Sequence, residues 1–508
     1  MIGKLSHILY IYTRVLKQPI HLVIVLYMLD IAFLTYPEWI SPIIIIAYFL
    51  LVIGLMIVVI SENRNPIRSI AWCVALLALP VIGVIFYLFF GRSMKGHHML
   101  SRHNKRKLLH NFNARSESFT NLSIPPAERL IVKLAHSLNR APLTINNEIK
   151  IFTNGRDKFD SLINDLENAS SSIYLQYYIF ADDSTGHRIS DILIRKAREG
   201  LKVKVIYDHV GSFSSSSKFF KEMRQNGVDT HPFFRVTFPQ LANRINWRNH
   251  RKLVIIDNEI GYIGGMNIAD RYVFGQKDGS TWRDTHFRLR GDIIRSLIYS
   301  FAVDWYFLKD PDSSLNLEYA QTALHNKCAM QLITSGPIDT WNNISLCYLK
   351  AISSAKKTIY IQTPYFLPPD TLMNALEAAA LAKIDVRIMI PRKTDSRLLQ
   401  LATFSYVTRC LKAGIKVYTF EPGMLHAKSM TIDDDFTTAG STNFDFRSFE
   451  NNFEANLLIY DRDVNAGMRE IFFSDLRHCT KLKYSEWKTR PLPQRALESL
   501  VRLFAPIL

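Results

Sequence analysis

The sequence predicts an α/β protein, in which an N-terminal transmembrane helical hairpin precedes two tandem α/β sandwich domains related by a pseudo-twofold axis. Three observations predict this architecture: two long apolar runs near the N-terminus, an order of helices and strands that occurs twice, and a short polar motif present in each copy. With 508 residues, 48% of them hydrophobic, the chain can supply both a membrane segment and the cores of two or three domains.

The apolar runs are "IIIIAYFLLVIGLMIVVI", residues 43–60, and "IAWCVALLALPVIGVIFYLFF", residues 70–90. Each could cross ~30 Å of hydrocarbon as a helix, and the short "SENRNPIRS" between them predicts a hairpin. Buried helices of a soluble core are the alternative, but such helices are usually shorter and interrupted by charge. Residues 22–36 contain Asp30 and are short, so we expect an interfacial or partly inserted segment, with a third span as the alternative. No small-residue cleavage site precedes the runs, which argues against a signal peptide.

The chain is strongly basic, with 62 Lys and Arg against 45 Asp and Glu and a net charge of +17. Part of this charge directly follows the second run: Arg92, Lys95, Arg102, Lys105, Arg106 and Lys107. Basic flanks are retained on the cytoplasmic side, so a multi-pass protein of the cell membrane is predicted, with everything after the second run in the cytoplasm. Anionic lipid and nucleic acid both suit such charge, and the adjacent apolar runs favour lipid. The five cysteines show neither metal-ligand spacing nor a disulfide framework.

The segment after the basic cluster is organised as a repeat. A helix leads into the strand "SIYLQYYIF", and later another helix leads into "TIYIQTPYF", which places Gln176 and Gln362 in equivalent positions. A helix and a β-branched strand follow in each half, a pattern typical of α/β layers, and a repeat of about 180 residues indicates domain duplication. The predicted boundaries are a membrane anchor at 1–92, a basic linker at 93–135, domains at 136–325 and 326–480, and an amphipathic tail at 481–508. Docking of the tail on the protein core and binding to a membrane surface are both open.

Each half contains the same polar motif after a strand. "NHRKLVIIDNEIGYIGGMN" places His250, Lys252 and Asp257 at the offsets at which "LHAKSMTIDDDFTTAGSTN" places their counterparts, His426, Lys428 and Asp433. A Gly and an Asn follow each Asp at equal distances, Gly264 and Asn267 in the first copy and Gly440 and Asn443 in the second. A single buried His is usually a core residue, but a matched pair is not explained that way. If the halves pack about a pseudo-twofold axis, both motifs face one cleft.

Two imidazoles, two ammonium groups and two carboxamides in one cleft suit a phosphodiester. One His can attack phosphorus while the other protonates the departing alcohol oxygen. The remaining groups can hold the non-bridging oxygens and stabilise the charge that develops on them: Lys252, Lys428, Asn267 and Asn443. Because the lysines supply positive charge, no metal ion or other cofactor is expected.

Each catalytic His also needs an acceptor that holds its second ring nitrogen in one tautomer. Alignment of the repeats beyond the motifs sets "FEANLLIYD" against "RDTHFRLRGD" and pairs Glu454 with Asp284, so these carboxylates are the predicted acceptors. Asp257 and Asp433 end apolar strands and are expected to brace turns through backbone hydrogen bonds, with a direct electrostatic role in catalysis as the alternative.

The paired "HxKxxxxD" motifs, each with its downstream Gly and Asn, resemble the phospholipase D superfamily. The two apolar runs, "ENRNPIRSIAW", "FYLFFGR" and the closing "RALESLVRLFAPIL" resemble, within it, the bacterial cardiolipin synthase family over nearly the whole chain. The resemblance implies two phospholipase D-like domains that transfer a phosphatidyl group between two phosphatidylglycerol molecules, giving cardiolipin and glycerol through a phosphohistidine. It implies His250 as nucleophile, His426 as acid and base, and Glu454 as the carboxylate that orients the histidine of its own motif; Asp284 fills the equivalent place in a half with an insertion, "FGQKDGST".

One departure separates the halves, because the second motif reads "GSTN" whereas the first reads "GGMN", with Gly265 in the Ser position. Only Ser441 is therefore predicted to offer a hydroxyl to phosphate. Water or another phospholipid, such as phosphatidylethanolamine, is the alternative acceptor. An inactive scaffold would not need two complete motifs, and a nuclease would leave the apolar runs unexplained, so no nucleic-acid partner is expected. The sequence makes no prediction of oligomeric state.

Overall fold

The computed structural model describes residues 40–62, 66–79, 81–91, 126–235, 246–276, 278–309 and 328–505, together with residues 99, 108, 315 and 324. The chain divides into two compact units, residues 1–93 with 237–246 and residues 94–236 with 247–508. The predicted segment 22–36 and most of the predicted linker 93–135 lie outside the described residues.

The N-terminal unit is a set of apolar helices. Their bounds are Ile40–Ser61 for α1, Pro66–Ala78 for α2 and Ile82–Phe86 for α3, with a π-helical turn at Tyr87–Gly91. The predicted second run is therefore not one helix: α2 ends two residues before Pro80, because proline lacks an amide hydrogen and disfavours helical geometry in the preceding residue. Within the described ranges, no helix is long and apolar enough to span a bilayer, so both spans stay a prediction.

The larger unit opens with α4, Pro126–Asn139, and then contains the two halves. The first half comprises β1 Asn147–Phe152, α5 Gly155–Glu167, β2 Ser172–Tyr177, α6 Ser184–Arg198, β3 Lys202–Asp208, α7 Ser217–Gln225, β4 Asp229–Phe233, β5 Arg248–Asn249, β6 Leu253–Ile256, β7 Ile260–Gly264, α8 Asp270–Phe274, β8 Thr281–Arg283, β9 His286–Gly291 and α9 Ile293–Leu308.

The second half repeats this order. It comprises β10 Met330–Ser335, α10 Asn343–Ser354, β11 Thr358–Gln362, β12 Phe366–Leu367, α11 Asp370–Leu381, β13 Asp385–Pro391, α12 Arg397–Ala413, β14 Lys416–Phe420, β15 Gly423–Leu425, β16 Ser429–Ile432, β17 Phe436–Gly440, β18 Phe444–Asp445, α13 Phe446–Glu450, β19 Asn452–Ile459, α14 Arg462–Leu476, β20 Cys479–Lys481, α15 Tyr484–Trp487 and α16 Leu492–Arg502.

The two main sheets have equivalent strand orders, β1-β9-β7-β6-β2-β3-β4 and β10-β19-β17-β16-β11-β13-β14, the second extended by β20. Helices alternate with these strands in both halves, so the predicted duplicated α/β fold is confirmed. The sheet registers also confirm the alignment of the repeats. Gly264 pairs with His286 and Gly440 with Asn456, which sets Asp284 and Glu454, each two residues earlier, in equivalent places.

Two short strand pairs join the halves directly. β5 of the first half runs parallel to the start of β19, with Asn249 opposite Phe453. β8 of the first half runs parallel to β15, with Arg283 opposite Leu425. Each pair ends at a motif histidine, so the contact between the halves positions the catalytic groups.

The C-terminal helix α16 packs against α12. Val501 and Ala505 are buried in this contact, and the buried Glu498 accepts from Arg490 at 2.6 Å. The tail therefore docks on the larger unit, as one of the two alternatives predicted.

Candidate active site

The two motif histidines are held by backbone hydrogen bonds from the opposite half. The amide of His250 donates to the carbonyl of Phe453 at 2.9 Å, and that of His426 donates to the carbonyl of Arg283 at 2.6 Å. Each of these acceptors immediately precedes a predicted orienting carboxylate. The short parallel strands thus bring each histidine beside the carboxylate of the other half.

The histidine–carboxylate pairs are consequently crossed. Nδ1 of His250 lies 2.9 Å from Oε1 of Glu454, and Nδ1 of His426 lies 2.6 Å from Oδ2 of Asp284. Both carboxylates are completely buried. The expectation that Glu454 orients the histidine of its own motif is wrong, because β5 rather than β15 lies beside β19.

The second nitrogen of each ring is left for chemistry. Among the described residues, Nε2 of neither His250 nor His426 has a hydrogen-bond partner. The two side chains are buried, at 8% and 7% exposure, so each imidazole presents only a small surface. Nδ1 is fixed by a carboxylate, which leaves Nε2 as the reactive atom in both rings.

The motif lysines lie beneath the histidines. Nζ of Lys252 donates to the carbonyl of His250 at 2.6 Å, and Nζ of Lys428 donates to that of His426 and lies 3.9 Å from Oδ2 of Asp284. The positive charge of Lys428 also disfavours a proton on His250, and it repels a positive charge on Lys252. The charged groups of the two motifs therefore share one electrostatic environment.

Burial governs the protonation of the site. It lowers the pKa of His250 to about 4 against the attraction of Glu454, and it lowers the pKa of His426 to about 4, with Lys428 adding to the shift and Asp284 opposing it. Burial also lowers the pKa of Lys428 to about 8 and that of Lys252 well below its usual value. Burial would raise the pKa of Glu454, but His250 and Lys252 hold it below its usual value. Without a bound anion, both imidazoles are neutral at pH 7.

Asp257 and Asp433 lie at the other ends of β6 and β16, where they organise turns. Asp257 accepts from the backbone amides of residues 170–172 at 2.7 to 2.9 Å, and Asp433 accepts from those of residues 356–358 at the same distances. Both adopt positive φ, 52° and 48°. This geometry favours the bracing interpretation over a direct electrostatic role at the reacting phosphate.

The motif carboxamides differ between the halves. Asn267 accepts from the amide of Ile179 at 3.2 Å and donates to the hydroxyl of Tyr272 at 2.9 Å, and that hydroxyl lies 3.4 Å from Nδ1 of His426. The amide nitrogen of Asn267 carries two protons, and its hydrogen bond to Tyr272 uses one of them. The buried Oδ1 of Asn443 has no hydrogen-bond partner among the described residues.

Ser441 does not present its hydroxyl to the cleft as predicted. The completely buried Oγ donates to Oε2 of Glu454 and accepts from the amide of Ala455 at 3.0 Å. Ser441 therefore holds the carboxylate that orients His250. In the first half a Cβ on Gly265 would lie 2.1 Å from Oδ1 of Asp284, so a serine there would displace the carboxylate.

Aromatic rings that the sequence analysis missed flank both imidazoles. Tyr178 meets His250 edge-on with ring centroids 4.8 Å apart, and Trp282 lies 5.5 Å from His426. Tyr178 stands two residues after Gln176 in the repeat strand, and Trp282 stands two residues before Asp284, which were the available signals. Neither neighbour has an equivalent in the other half, so the halves of the cleft differ.

Two acids on the long helices, one buried and one partly buried, anchor the strands beside the site. Asp304 on α9 accepts from Gln176 at 2.5 Å, Asn249 at 2.9 Å and Arg251 at 2.7 Å, and the last two residues flank His250. The equivalent acid is Asp475 on α14. It accepts from Gln362 at 2.8 Å and from Arg283, the neighbour of Asp284, at 3.0 Å. The equivalent glutamines thus have equivalent partners, which sequence reasoning did not supply.

No group of three or more His, Cys, Asp or Glu side chains in the described part of the chain is arranged to hold a metal ion. Lys252 and Lys428 are the buried basic side chains that contact the motif histidines in this part of the chain.

Comparisons with known proteins agree with the duplicated fold. The family model "Cardiolipin synthase, PLD-like domain" matches residues 162–281 and 348–476, and the model "Phospholipase_D-nuclease N-terminal" matches residues 45–92. The structure of phosphatidylserine synthase from Haemophilus influenzae Rd KW20 aligns with a TM-score of 0.59 and 18% identity, covering 76% of this chain and 100% of that one, which supports the fold.

Sequence relatives cover almost the whole chain. The chain is 39% identical over 481 residues to the major cardiolipin synthase ClsA of Bacillus subtilis (strain 168), covering 92% of this chain and 100% of that protein. It is 36% identical over 463 residues to the cardiolipin synthase of Geobacillus sp. (strain WCH70), covering 90% and 92%. With the duplicated fold and the crossed histidine–carboxylate pairs, these similarities mean that the chain belongs to the cardiolipin synthase family of phospholipase D-type phosphatidyltransferases.

Proposed function

We propose that the protein joins two phosphatidylglycerol molecules into cardiolipin and releases glycerol. The observation that carries the proposal is the pair of buried imidazoles, each fixed at Nδ1 by a carboxylate of the other half and each with Nε2 unengaged among the described residues. Two such groups can divide one displacement at phosphorus into two.

In the first step, Nε2 of His250 attacks phosphorus, the bond from phosphorus to the glycerol oxygen breaks, and His426 gives its proton to that oxygen. In the second step, the hydroxyl of another phosphatidylglycerol gives its proton to His426 and attacks phosphorus, and the bond from phosphorus to His250 breaks. Lys252 and Lys428 offset the charge on the non-bridging oxygens throughout. The assignment of the two histidines follows the family resemblance.

The first step requires a proton on His426, whose pKa of about 4 leaves it neutral at pH 7. A phosphodiester anion between the rings favours protonation of an adjacent imidazole. Substrate binding thus favours the protonated form of His426 that the first step uses. Because one imidazole must be neutral and the other protonated, we expect the reaction rate to have a bell-shaped pH dependence.

We also propose that α1–α3 anchor the protein in the cell membrane. Large apolar side chains point outward along α1, among them Leu50, Ile57 and Ile60 with exposures of 64%, 61% and 62%. The basic residues after the second apolar run favour a multi-pass anchor with the larger unit in the cytoplasm. Cysteine labelling at the exposed Leu381 with a membrane-impermeant reagent tests this: labelling of intact cells would contradict the orientation.

Product analysis tests the reaction and its alternatives. Purified full-length enzyme incubated with phosphatidylglycerol alone should form cardiolipin and glycerol in equal amounts, and addition of phosphatidylethanolamine should leave the yield unchanged. Phosphatidic acid as the main product would indicate water as acceptor, and cardiolipin only with phosphatidylethanolamine present would indicate a different co-substrate.

Trapping distinguishes the roles of the histidines. With phosphatidylglycerol labelled in its phosphate, His426→Ala should retain an acid-labile adduct because the second step lacks its base, whereas His250→Ala should retain none. The opposite pattern would exchange the two assignments.

A further inference from the structure

The site-bearing edges of both sheets carry exposed apolar side chains that the catalytic mechanism does not use. Phe213, Phe274, Trp341 and Leu398 have exposures of 79%, 64%, 60% and 53%. Large apolar side chains on a soluble surface are unremarkable singly, but a group around one opening marks a contact site.

The first two of these residues, Phe213 and Phe274, lie close in the chain to residues that contact His426 or the neighbour of His250. Phe213 lies in the loop after β3, whose last residue, Asp208, accepts from the amide of Asn249 at 2.8 Å, next to His250. Phe274 ends α8, two residues after Tyr272, whose hydroxyl lies 3.4 Å from Nδ1 of His426. Both segments therefore lie at the edge of the first sheet that carries the histidines.

The other two residues, Trp341 and Leu398, follow strands that end at the equivalent edge of the second sheet. Trp341 lies in the loop after β10, whose last residue, Ser335, pairs with Glu454. Leu398 is in the first turn of α12, which follows β13; parallel β3 and β13 are equivalent strands and end at equivalent edges. We call Phe213, Phe274, Trp341 and Leu398 the apolar rim.

Charge accompanies the rim. Lys218 follows the loop of Phe213, and Arg392, Lys393 and Arg397 precede Leu398; all four are exposed. The acids nearby are already engaged, since Asp395 accepts from Tyr365 and Asp278 lies 4.0 Å from Lys393. Exposed apolar side chains together with basic residues are complementary to a bilayer that contains anionic lipid.

We infer that the apolar rim inserts into the interface of an anionic phospholipid bilayer and sets the cleft directly over its lipids. The inference rests on the proposed function, because a cleft that acts on phosphatidylglycerol must receive a phosphate still attached to chains in the bilayer. Rim insertion shortens the distance over which a lipid is lifted, so the phosphorus reaches the imidazoles while its acyl chains remain in hydrocarbon.

Leu381 provides a matched control. It is exposed to 64%, but it ends α11, immediately before β13 begins, and so lies at the edge opposite the cleft. A probe there experiences the same protein in the same membrane without belonging to the rim.

The test places an environment-sensitive probe on full-length enzyme in vesicles of phosphatidylglycerol and phosphatidylcholine. In a background of Cys73→Ser and Cys479→Ser, a probe on Phe213→Cys should shift to the blue and be quenched by doxyl-labelled lipids, whereas one on Leu381→Cys should do neither. Equal quenching at both positions, or at neither, would overturn the inference. A blue shift in lipid-free detergent that grows with protein concentration would assign the rim to a second copy instead.

Activity supplies the second measurement. The triple variant Phe213→Ser, Phe274→Ser and Trp341→Ser should lower cardiolipin formation in vesicles by about tenfold or more, since three aromatic side chains no longer enter the interface. In detergent micelles, where lipids exchange freely, it should match the wild type. Equal losses in both systems would indicate a structural role and contradict insertion. Failure of the wild type to make cardiolipin would refute the proposed function while leaving the probe result interpretable.

Discussion

The replacement Gly265→Ser would make the first motif read like the second, and we predict that it impairs catalysis. A Cβ at this position would lie 2.1 Å from Oδ1 and 2.7 Å from Cγ of Asp284. Ordinary contact begins at about 3.4 Å, so the carboxylate must move by roughly 1 Å. The backbone of Gly265 is outside the positive-φ region, so serine is compatible with the main chain and the effect falls on Asp284.

The expected magnitude follows from the bond that is lost. Asp284 lies 2.6 Å from Nδ1 of His426, and a hydrogen bond to a charged group contributes about 1.5–3 kcal/mol. If the displaced carboxylate no longer orients His426, the loss corresponds to a decrease in kcat of about 10- to 150-fold. KM should change little, because the lysines that we propose to hold the phosphate keep their positions.

Steady-state cardiolipin formation in mixed micelles measures this effect, with thermal unfolding as a check on folding. Gly265→Ala should be as impaired as Gly265→Ser, because the clash arises at Cβ rather than at the hydroxyl. Gly467→Ser is the matched control, since no atom lies within 4 Å of a Cβ built there. Full activity of Gly265→Ser would refute the assigned reason for the sequence difference between the motifs.

Three further predictions address the remaining groups of the site. Lys428→Ala should lower turnover by about a hundredfold or more as a preorganised charge is lost, measured by kcat with phosphatidylglycerol; an almost unchanged rate would remove Lys428 from the site. Asp304→Asn should lower kcat by about tenfold with a smaller change in KM, because Asn249 and Arg251 lose their shared anchor beside His250, while the exposed Asp191→Asn serves as control. Binding of inorganic phosphate at pH 7 should take up protons, because both imidazoles are neutral with a pKa of about 4 and an anion favours their charged form; calorimetry in two buffers of different ionisation enthalpy should show this, and identical heats would contradict it.

The duplicated fold and the equivalence of Asp284 with Glu454 could be predicted because both depend on local patterns that recur along the chain. Strand and helix periodicity defines each half, and counting from Gly264 and Gly440 aligns the carboxylates. The sheet registers confirm that count. The bracing of turns by Asp257 and Asp433 was predictable for the same reason, since it involves residues of the same half.

What could not be predicted depends on which separate segments of the chain come into contact. The partner of Glu454 is decided by β5 lying along β19, a pairing of two-residue strands with no signal in composition or spacing. The hydroxyl of Ser441 donates to Glu454 within the second half, from the end of β17 to the neighbouring strand β19. Gln176 and Gln362 stood out as equivalent, but their acids, Asp304 and Asp475, lie more than a hundred residues away in the chain.

The crossed pairs also change how the duplication is understood. In a simple repeat, each half would carry a complete histidine–carboxylate pair and the cleft would merely bring two such units together. Here the amide of His250 and its Nδ1 are both held by residues 453 and 454, and those of His426 by residues 283 and 284. The opposite half thus supplies a backbone acceptor and a carboxylate to each histidine, so the reactive state of each imidazole depends on the interface. The difference between serine and glycine in the two motifs then follows from the different lengths of the two acidic side chains. The longer Glu454 leaves room for Ser441 and accepts from its hydroxyl. The carboxylate of the shorter Asp284 occupies the space that a Cβ on Gly265 would need. The asymmetry that the two motifs show in sequence is thus the local consequence of orienting one imidazole with a glutamate and the other with an aspartate.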